Sequence, residues 1–513
     1  NVSREISWNM WRMMRMNEVY IRKMKEDEMW FLKMSILFGL LFTFCIYRNL
    51  SGLLFAVLVP ALILFAVKFL GRAGVRVKKD SAWYFAGIVL LGVSTCLTAN
   101  GFFHFFNILG ILLLFMAAMV HQFYNDSEWG FAEYVKKFFI LAGTCIASAG
   151  DPFKVKLRRD SAHGREQKES RRNAKAAAAG IAAAALFLIV VMPLLVMSDK
   201  IFSEFFYRFF GYLDLSYLIE NVDIENIVGI TFTFFIGTVG IYAFFAAVFR
   251  MNLQGKEEMR KGSVNPVTGI TFTGILAVIY VLYSMIQIVF LFLRLGDALP
   301  DGMTYSQYAH QGFWQLLFVS IINFLAVLVC MQVFGENKIL EILLCVISVC
   351  TCVMILSAAY RMLLYVEEYD LTFLRVLVLW FLAVLMLIFF GVIHSIFHRK
   401  FMLFRYIMLI VSVMYIGFSF SHADRIIAGY NIANTESMNQ EDVCYLIYGL
   451  SDDAAPEIAK LSEKNLENLG MLRDVDNYFY EISEEYRNMS VRSWNFSGSS
   501  ALDAAVSWQE KRE

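Results

Sequence analysis

Four groups of polar residues lie where long apolar stretches begin or end in the second half of the chain. They combine guanidinium, carboxylate, amide and phenol groups, which can bind a polar or anionic solute through hydrogen bonds and charge. The candidate site residues are Gln287, Tyr305, Tyr308, Gln315, Arg361, Tyr365, Glu367, Arg375 and Asp424. Arg361 and Arg375 flank an acidic turn, so an ion pair between these arginines and its carboxylates is expected.

Each of these residues also has an ordinary explanation. Tyrosine and arginine are common at the ends of membrane helices, and carboxylates are common in the loops between them. Ionisable residues at membrane depth are costly, however, and they are often functional. The convergence of four polar groups therefore favours a binding site, whereas no single residue does.

The sequence offers no motif for soluble enzyme chemistry. It contains no phosphate-binding loop, no dinucleotide-binding glycine pattern, no nucleophile elbow and no HExxH. The cysteine spacings resemble neither a disulfide framework nor a metal site. We therefore expect no cofactor, no metal and no enzymatic activity. A membrane enzyme that uses Glu367, Glu368 or Asp424 is the least favoured alternative, since no His, Cys or Ser stands at a catalytic spacing from them.

The composition is that of a membrane protein. Hydrophobic residues make up 58% of the 513 residues and charged residues only 18%, whereas soluble chains are nearer a quarter charged. A membrane-spanning helix needs about 20 mostly apolar residues. Eleven stretches meet this requirement, which predicts an all-α polytopic transmembrane helix bundle. They are residues 31–47, 50–69, 83–99, 102–120, 176–197, 227–249, 267–292, 312–334, 339–364, 371–393 and 401–420.

The distribution of basic residues predicts the orientation of the bundle. Most of the 45 lysines and arginines precede the first span or follow the even-numbered ones. Since basic loops remain in the cytoplasm, we expect a multi-pass protein of the bacterial plasma membrane with a cytoplasmic N-terminus and an extracytoplasmic C-terminus. The apolar run Phe138–Ala147 is too short to span, and it is expected to form an interfacial or re-entrant helix. The formal net charge of zero argues against a nucleic-acid partner.

These observations divide the chain into five regions. We expect a cytoplasmic amphipathic N-terminal segment, a four-helix membrane subdomain, a basic cytoplasmic segment, a seven-helix membrane domain and an acidic, helical, extracytoplasmic tail. Their bounds are 1–30, 31–120, 121–175, 176–420 and 421–513. The stretch Ser490–Glu513 is rich in serine, and disorder is expected there.

Two functions follow from this arrangement. The polar groups at the ends of spans seven, nine and eleven and at the starts of spans eight and ten share the outer face, which favours a transporter-like protein with a solute-binding cleft on that face. The alternative is a sensing or scaffold protein with an outer tail and a basic cytoplasmic site for anionic lipid headgroups or a partner. Candidate contacts at that basic site are Arg158, Arg159, Arg171 and Arg172, although the positive-inside rule alone accounts for them.

Several motifs together resemble a known family. They are YSQYAHQGFWQLLFVSIIN, YRMLLYVEEYDLTFLR, ADRIIAGYNI and CYLIYGLSDDAAPEI. The set resembles a bacterial family of multi-spanning membrane proteins known as a domain of unknown function, number forty-one seventy-three. The resemblance covers approximately residues 180–460, and it implies the fold and the membrane location but no activity. Asp370 stands where that family often has glycine, so a tight turn is not expected there.

Overall fold

Regular structure in this protein is helical wherever its residues are described. The computed structural model describes residues 19–124, 129, 131–153, 224–250, 264–289, 305–335, 337–398, 400–435 and 438–512. These residues form no strand beyond one isolated bridge between Val264 and Phe334. The predicted all-α fold class is therefore confirmed.

The apolar stretches form long helices. Their bounds are α1 Glu28–Ile46, α2 Leu53–Ala73, α3 Ala82–Leu97, α4 Gly101–Phe123, α5 Phe131–Ser148, α6 Ile224–Arg250, α7 Pro266–Gln287, α8 Tyr305–Val333, α9 Lys338–Tyr369, α10 Phe373–Phe397, α11 Leu403–Ser419 and α12 Ala423–Asn434. Nine of the described helices are long and apolar enough to cross a membrane, and the number reaches ten if α11 and α12 form one bent span. Each predicted span in the described part matches one of these helices. The span predicted at 176–197 lies outside the described residues.

The last predicted span does not end where the sequence suggested. Helix α11 has 17 residues, which is short for a membrane crossing. The chain then turns by 57° into α12, and His422 at the break has the left-handed backbone conformation, with φ of 50°. The first residues of the predicted tail therefore continue the last apolar helix after a bend.

Helix α5 contains the apolar run Phe138–Ala147. The helix is longer than this run, and it is not among the helices apolar enough to span. Phe139 and Ile146 are exposed, whereas Tyr134 and Leu141 are fully buried. One face of the helix is thus packed, whereas another face exposes apolar side chains. Helices that lie on a membrane surface show this pattern. The interfacial placement of α5 stays a prediction.

The chain divides into two compact units. The first comprises Asn1–Leu50, Val57–Asp80 and Lys136–Gln254, and the second comprises Ser51–Ala56, Ser81–Val135 and Gly255–Glu513. In the first unit α1 and α6 pack at very short distance, because Gly39 faces Thr238 and Gly237 faces Phe42. A Cβ atom at Gly39 would lie 1.9 Å from the Thr238 hydroxyl oxygen. Glycine is required there for the two backbones to approach.

In the second unit α12 and the helices after it form a small helical domain, named the C-terminal domain below, because Ala428 of α12 lies in the same core. Its other helices are α13 Gln440–Cys444, α14 Ala455–Ile458, α15 Glu463–Leu469, α16 Leu472–Tyr486 and α17 Phe496–Arg512. Val475, Phe479 and Trp508 lie in its core, and the Trp508 indole N–H donates to Asp476 Oδ1 over 3.0 Å. The disorder predicted for Ser490–Glu513 is wrong for α17, since this helix buries Trp508 and its alanines against the domain.

Candidate functional site

Gln287 and Arg361 meet between two membrane helices. Gln287 is the last residue of α7, and it is buried together with Thr273, Ala277 and Ser284 on one face of that helix. Its Oε1 atom accepts a hydrogen bond of 2.6 Å from the Ser357 hydroxyl of α9 and one of 3.4 Å from Arg361 Nη2, one turn further along. Two of the predicted site residues, Gln287 and Arg361, are thus in contact, and Ser357 belongs to the same hydrogen-bonded group.

A second polar contact lies deeper among the same helices. Asn323 of α8 is almost fully buried. Its Oδ1 atom accepts from the Tyr280 hydroxyl over 2.8 Å, and its Nδ2 atom donates to the Thr351 hydroxyl over 2.9 Å. One amide therefore links α7, α8 and α9. Together with the Gln287 contact, it gives these three helices a polar seam inside an otherwise apolar bundle.

The seam also contains an unused hydroxyl group. Ser284 lies one turn before Gln287 on the buried face of α7. Its Oγ atom is buried and has no hydrogen-bond partner among the described residues. Most buried polar atoms are paired, because an unpaired one costs free energy. This hydroxyl is therefore available to a bound molecule or a water.

The residues predicted at the start of α8 contribute less. Gln315 is exposed on α8, so it does not share the buried face that carries Asn323. The side chains of Tyr305 and Tyr308 lie outside the described ones. The basic candidates Arg158, Arg159, Arg171 and Arg172 also lie outside the described residues.

Arg375 has a structural role at the end of α9. Its guanidinium lies over the Tyr365 ring, 4.2 Å from the centroid. Its Nη1 atom donates to the backbone carbonyls of Tyr369 and Asp370. Arg375 thus closes the C-terminal end of α9, where carbonyl groups lack helical partners. It forms no ion pair with Glu367, which is exposed, so the ion pair expected for Arg375 is absent.

Asp424 belongs to a different part of the protein. It lies in the first turn of α12 and is 2% exposed. Its Oδ2 atom accepts from Asn100 Nδ2 over 2.7 Å, from the Ser451 hydroxyl over 2.5 Å and from the Ser451 N–H over 3.2 Å. Asp424 therefore holds the C-terminal domain against the start of α4. It does not contact Arg361 or Gln287, so the four predicted groups separate into two places.

Asp453 and Asn495 complete this contact, which we name the docking junction and define by Asn100, Asp424, Asp453 and Asn495. Asp453 accepts from the Thr98 hydroxyl over 2.5 Å, from the Ala99 N–H over 2.8 Å and from the Ser497 hydroxyl. Asn495 Nδ2 donates to the carbonyl oxygens of Thr98 and Ser51, over 3.1 and 3.0 Å.

The junction contains carboxylates without a basic partner. No ion pair involves Asp424 or Asp453 in the described part of the chain. Helix N-termini carry partial positive charge, however, and α4, α12 and α17 all begin at this junction. The hydrogen bonds come from neutral donors next to these helix starts, namely Ala99 N–H, the Ser451 N–H and hydroxyl, the Asn100 amide and the Thr98 and Ser497 hydroxyls. Nearby, burial raises the pKa of the Asp452 carboxyl, against a hydrogen bond from Tyr486 that lowers it.

The C-terminal domain also holds the turn that follows α9. Asn431 of α12 accepts from the Leu371 N–H and donates to the Leu371 carbonyl, both over 2.9 Å. The Thr435 hydroxyl donates to Asp370 Oδ2 over 3.2 Å. Asp370 itself has φ of 62° and ψ of 179°. A tight turn was not expected here because the position holds aspartate and not glycine, but the turn is present.

Several loops therefore lie on one side of the bundle. The C-terminal domain contacts Ser51 and Leu53, the α3–α4 loop and the α9–α10 turn. These segments follow predicted spans one, three and nine, and they share a side with the end of α11. The orientation of these loops across a membrane stays a prediction.

Sequence reasoning missed Ser357, Tyr280 and Thr351 in the seam. Each is a single hydroxyl residue inside an apolar stretch, where it usually bonds within its own helix. Their helical spacing from Arg361 and Gln287 was the available signal. No group of three or more His, Cys, Asp or Glu side chains in the described part could hold a metal ion.

A chain with this many long apolar helices is a polytopic integral membrane protein. It belongs to the family described as Domain of unknown function (DUF4153), which matches residues 85–461. The family predicted from the motifs carried another number, so that prediction is confirmed only as a family of unknown function. No curated protein and no solved structure matches the chain.

Proposed function

We propose that this protein binds a small polar or anionic solute at the seam between α7 and α9, as a transporter-like protein would. The observation that carries the proposal is the guanidinium of Arg361 in contact with Gln287 inside the helical bundle. Placing a cation among membrane helices is costly, and such residues commonly mark solute or ion pathways. The site is smaller than the cleft expected from the sequence, because Arg375 and Asp424 lie elsewhere.

The chemistry of the seam supports an anionic group on the solute. Arg361 supplies charge and several N–H donors in a fixed plane, and the unused Ser284 hydroxyl supplies one more donor. Gln287 orients the guanidinium, since its Oε1 atom accepts from Arg361 and from Ser357. A carboxylate or phosphate group matches this set of donors.

The test is a thermal-stability screen of the purified full chain with acetate, phosphate and sulfate. We expect at least one anion to raise the melting temperature of the wild type. Removing a hydrogen bond between charged groups costs about 1.5–3 kcal/mol, so Arg361→Gln should bind roughly tenfold to a hundredfold more weakly. Arg425→Gln is the matched control, because Arg425 is an exposed arginine paired with Glu457.

Two further results complete this test. Ser284→Ala removes a hydroxyl without removing charge, and we expect a smaller loss of anion binding in a variant that folds normally. An equal anion response in Arg361→Gln and the wild type would refute the proposal. So would the lack of any anion response in the wild type.

A second candidate function is sensing by the C-terminal domain. It is favoured by the paired hydrogen bonds between Asn431 and Leu371, because they connect that domain to the turn that ends α9, the helix of Arg361. Hydrogen exchange of the full chain would test it. If the domain controls α9, Asn431→Ala should speed exchange in the last turns of α9 as well as in α12. Faster exchange in the C-terminal domain alone would refute this function.

A further inference from the structure

The segment between α16 and α17 presents apolar side chains that the C-terminal domain does not cover. Val491 is 77% exposed and Phe496 is 52% exposed. Trp494 is half-buried, with its ring centroid 6.4 Å from that of Phe496. Arg487, at the start of the segment, is exposed. Three apolar side chains beside an exposed arginine form a pattern typical of membrane-surface contacts.

Backbone contacts fix the position of this segment relative to two membrane helices. The Trp494 carbonyl accepts from the N–H of Leu53, the first residue of α2, over 2.8 Å. The same carbonyl accepts from Cys96 Sγ, near the end of α3, over 3.7 Å. Both α2 and the helix that ends at Leu97 are long and apolar enough to span. Trp494 therefore lies at the level where two membrane helices end.

The ends of membrane-spanning helices generally lie in the headgroup region of a bilayer. Tryptophan and phenylalanine are favoured there, because the ring enters the apolar layer while a polar edge or the backbone stays hydrated. Asn495 fixes the depth, since it is buried and its amide donates to the Ser51 and Thr98 carbonyls. The side chains on either side of it, Trp494 and Phe496, are thus held at the ends of the spans.

We propose that Val491, Trp494 and Phe496 insert into the interface between lipid headgroups and acyl chains, and that they anchor the C-terminal domain to the membrane surface. The partner is the lipid bilayer that surrounds the helices. Trp494 lies at the end of α3 through the contact between its carbonyl and Cys96, and α3 belongs to a helix apolar enough to span. This position at the end of a span favours lipid over a second protein. The anchor is independent of solute binding at Arg361.

The experiment uses a fluorescent bimane label on the full chain in nanodiscs of phosphatidylcholine and phosphatidylglycerol. Val491→Cys places the label in the segment, and Cys444→Ser removes the only cysteine outside the apolar stretches. Glu467→Cys is the matched control, because Glu467 is exposed on α15, whose neighbour Glu463 pairs with Arg512 at the far end of α17. The Cys444→Ser protein without an introduced cysteine measures any labelling of the remaining native cysteines.

Two quenchers then separate lipid from water. A phospholipid with a nitroxide near its headgroup should quench the label at position 491 several-fold more than the label at 467. Aqueous iodide should show the reverse order. The proposal is wrong if iodide quenches both labels equally, or if the lipid nitroxide quenches both equally. It is also wrong if neither quencher reaches position 491, since a second protein would then cover the segment.

Discussion

Replacing Asp370 by glycine should relax the turn between α9 and α10. At φ of 62° and ψ of 179°, Asp370 occupies a backbone region that is almost restricted to glycine, and a residue held there stores about 1–3 kcal/mol of strain. The surroundings maintain this conformation. Arg375 binds the carbonyls of Tyr369 and Asp370, and Asn431 holds both backbone groups of Leu371.

The net effect of Asp370→Gly is the balance of three contributions. Relief of strain stabilises the turn by about 1–3 kcal/mol. Loss of the hydrogen bond from Thr435 destabilises it by about 1 kcal/mol, and the freedom of glycine in the unfolded chain costs about 0.5–1 kcal/mol. Asp370→Ala loses the same hydrogen bond but keeps the strain. The glycine variant should therefore be more stable than the alanine variant by about 1 kcal/mol.

Thermal unfolding of the full chain in one detergent measures this difference. Because unfolding of large membrane proteins is often irreversible, the melting temperatures must be compared at a single scan rate. We expect Asp370→Gly to melt roughly 2 °C above Asp370→Ala. Glu368 is the control position, since it lies inside the last turn of α9, where glycine should be worse than alanine by about 1 kcal/mol. If Asp370→Ala melts at or above Asp370→Gly, the strain argument is refuted.

Two other predictions concern the C-terminal domain. Asn431→Ala leaves both backbone groups of Leu371 unpaired and should cost about 2–4 kcal/mol, seen as a lower melting temperature. Thr435→Ala removes only the hydrogen bond to Asp370 and should cost about 1 kcal/mol, so equal losses would refute this account. Burial raises the pKa of Asp452, so the protonated carboxyl stabilises the folded domain. This contribution to stability is complete below pH about 4, and it is lost as the pH rises through the pKa of the folded state. Melting temperatures between pH 4 and 8 should therefore fall less in Asp452→Asn than in the wild type, and parallel pH profiles would contradict the assignment.

The membrane helices could be predicted from the sequence because hydropathy is a local property. A stretch such as 371–393 needs no knowledge of its partners to be recognised as a span, and α10 matches it closely. The bend between α11 and α12 was missed, since it depends on His422 adopting a left-handed conformation. Residues 420–422 include no glycine or proline, so the sequence carries no local signal for a break there.

The candidate site was predicted only in part, because its contacts join distant parts of the chain. Gln287 and Arg361 were expected on one side, and they do meet. Asp424 was assigned to the same cleft, but its partner Asn100 lies 324 residues earlier. A buried carboxylate can be satisfied by arginine or by N–H groups and hydroxyls, and the sequence does not distinguish these cases.

The disorder predicted for Ser490–Glu513 failed for a related reason. The prediction relied on composition, and the serine content of the stretch indicated disorder. Ala501, Ala504, Ala505 and Trp508 follow a helical spacing, however, and all four side chains are buried. Ser497 is buried as well, where its hydroxyl donates to Asp453. Serine content alone therefore does not indicate disorder when the apolar residues between the serines lie on one helical face.

The docking junction explains why carboxylates suit the contact between the membrane helices and the C-terminal domain. Asp453 accepts three hydrogen bonds from neutral donors at the starts of α4 and α17. An asparagine there would turn its own NH₂ group towards at least one of these donors. An arginine partner would need its own desolvation, which offsets much of its attraction in a buried site. Helix N-termini supply positive potential without that cost, so the domain can dock on buried acidic groups while the cation at Arg361 remains in the seam between α7 and α9.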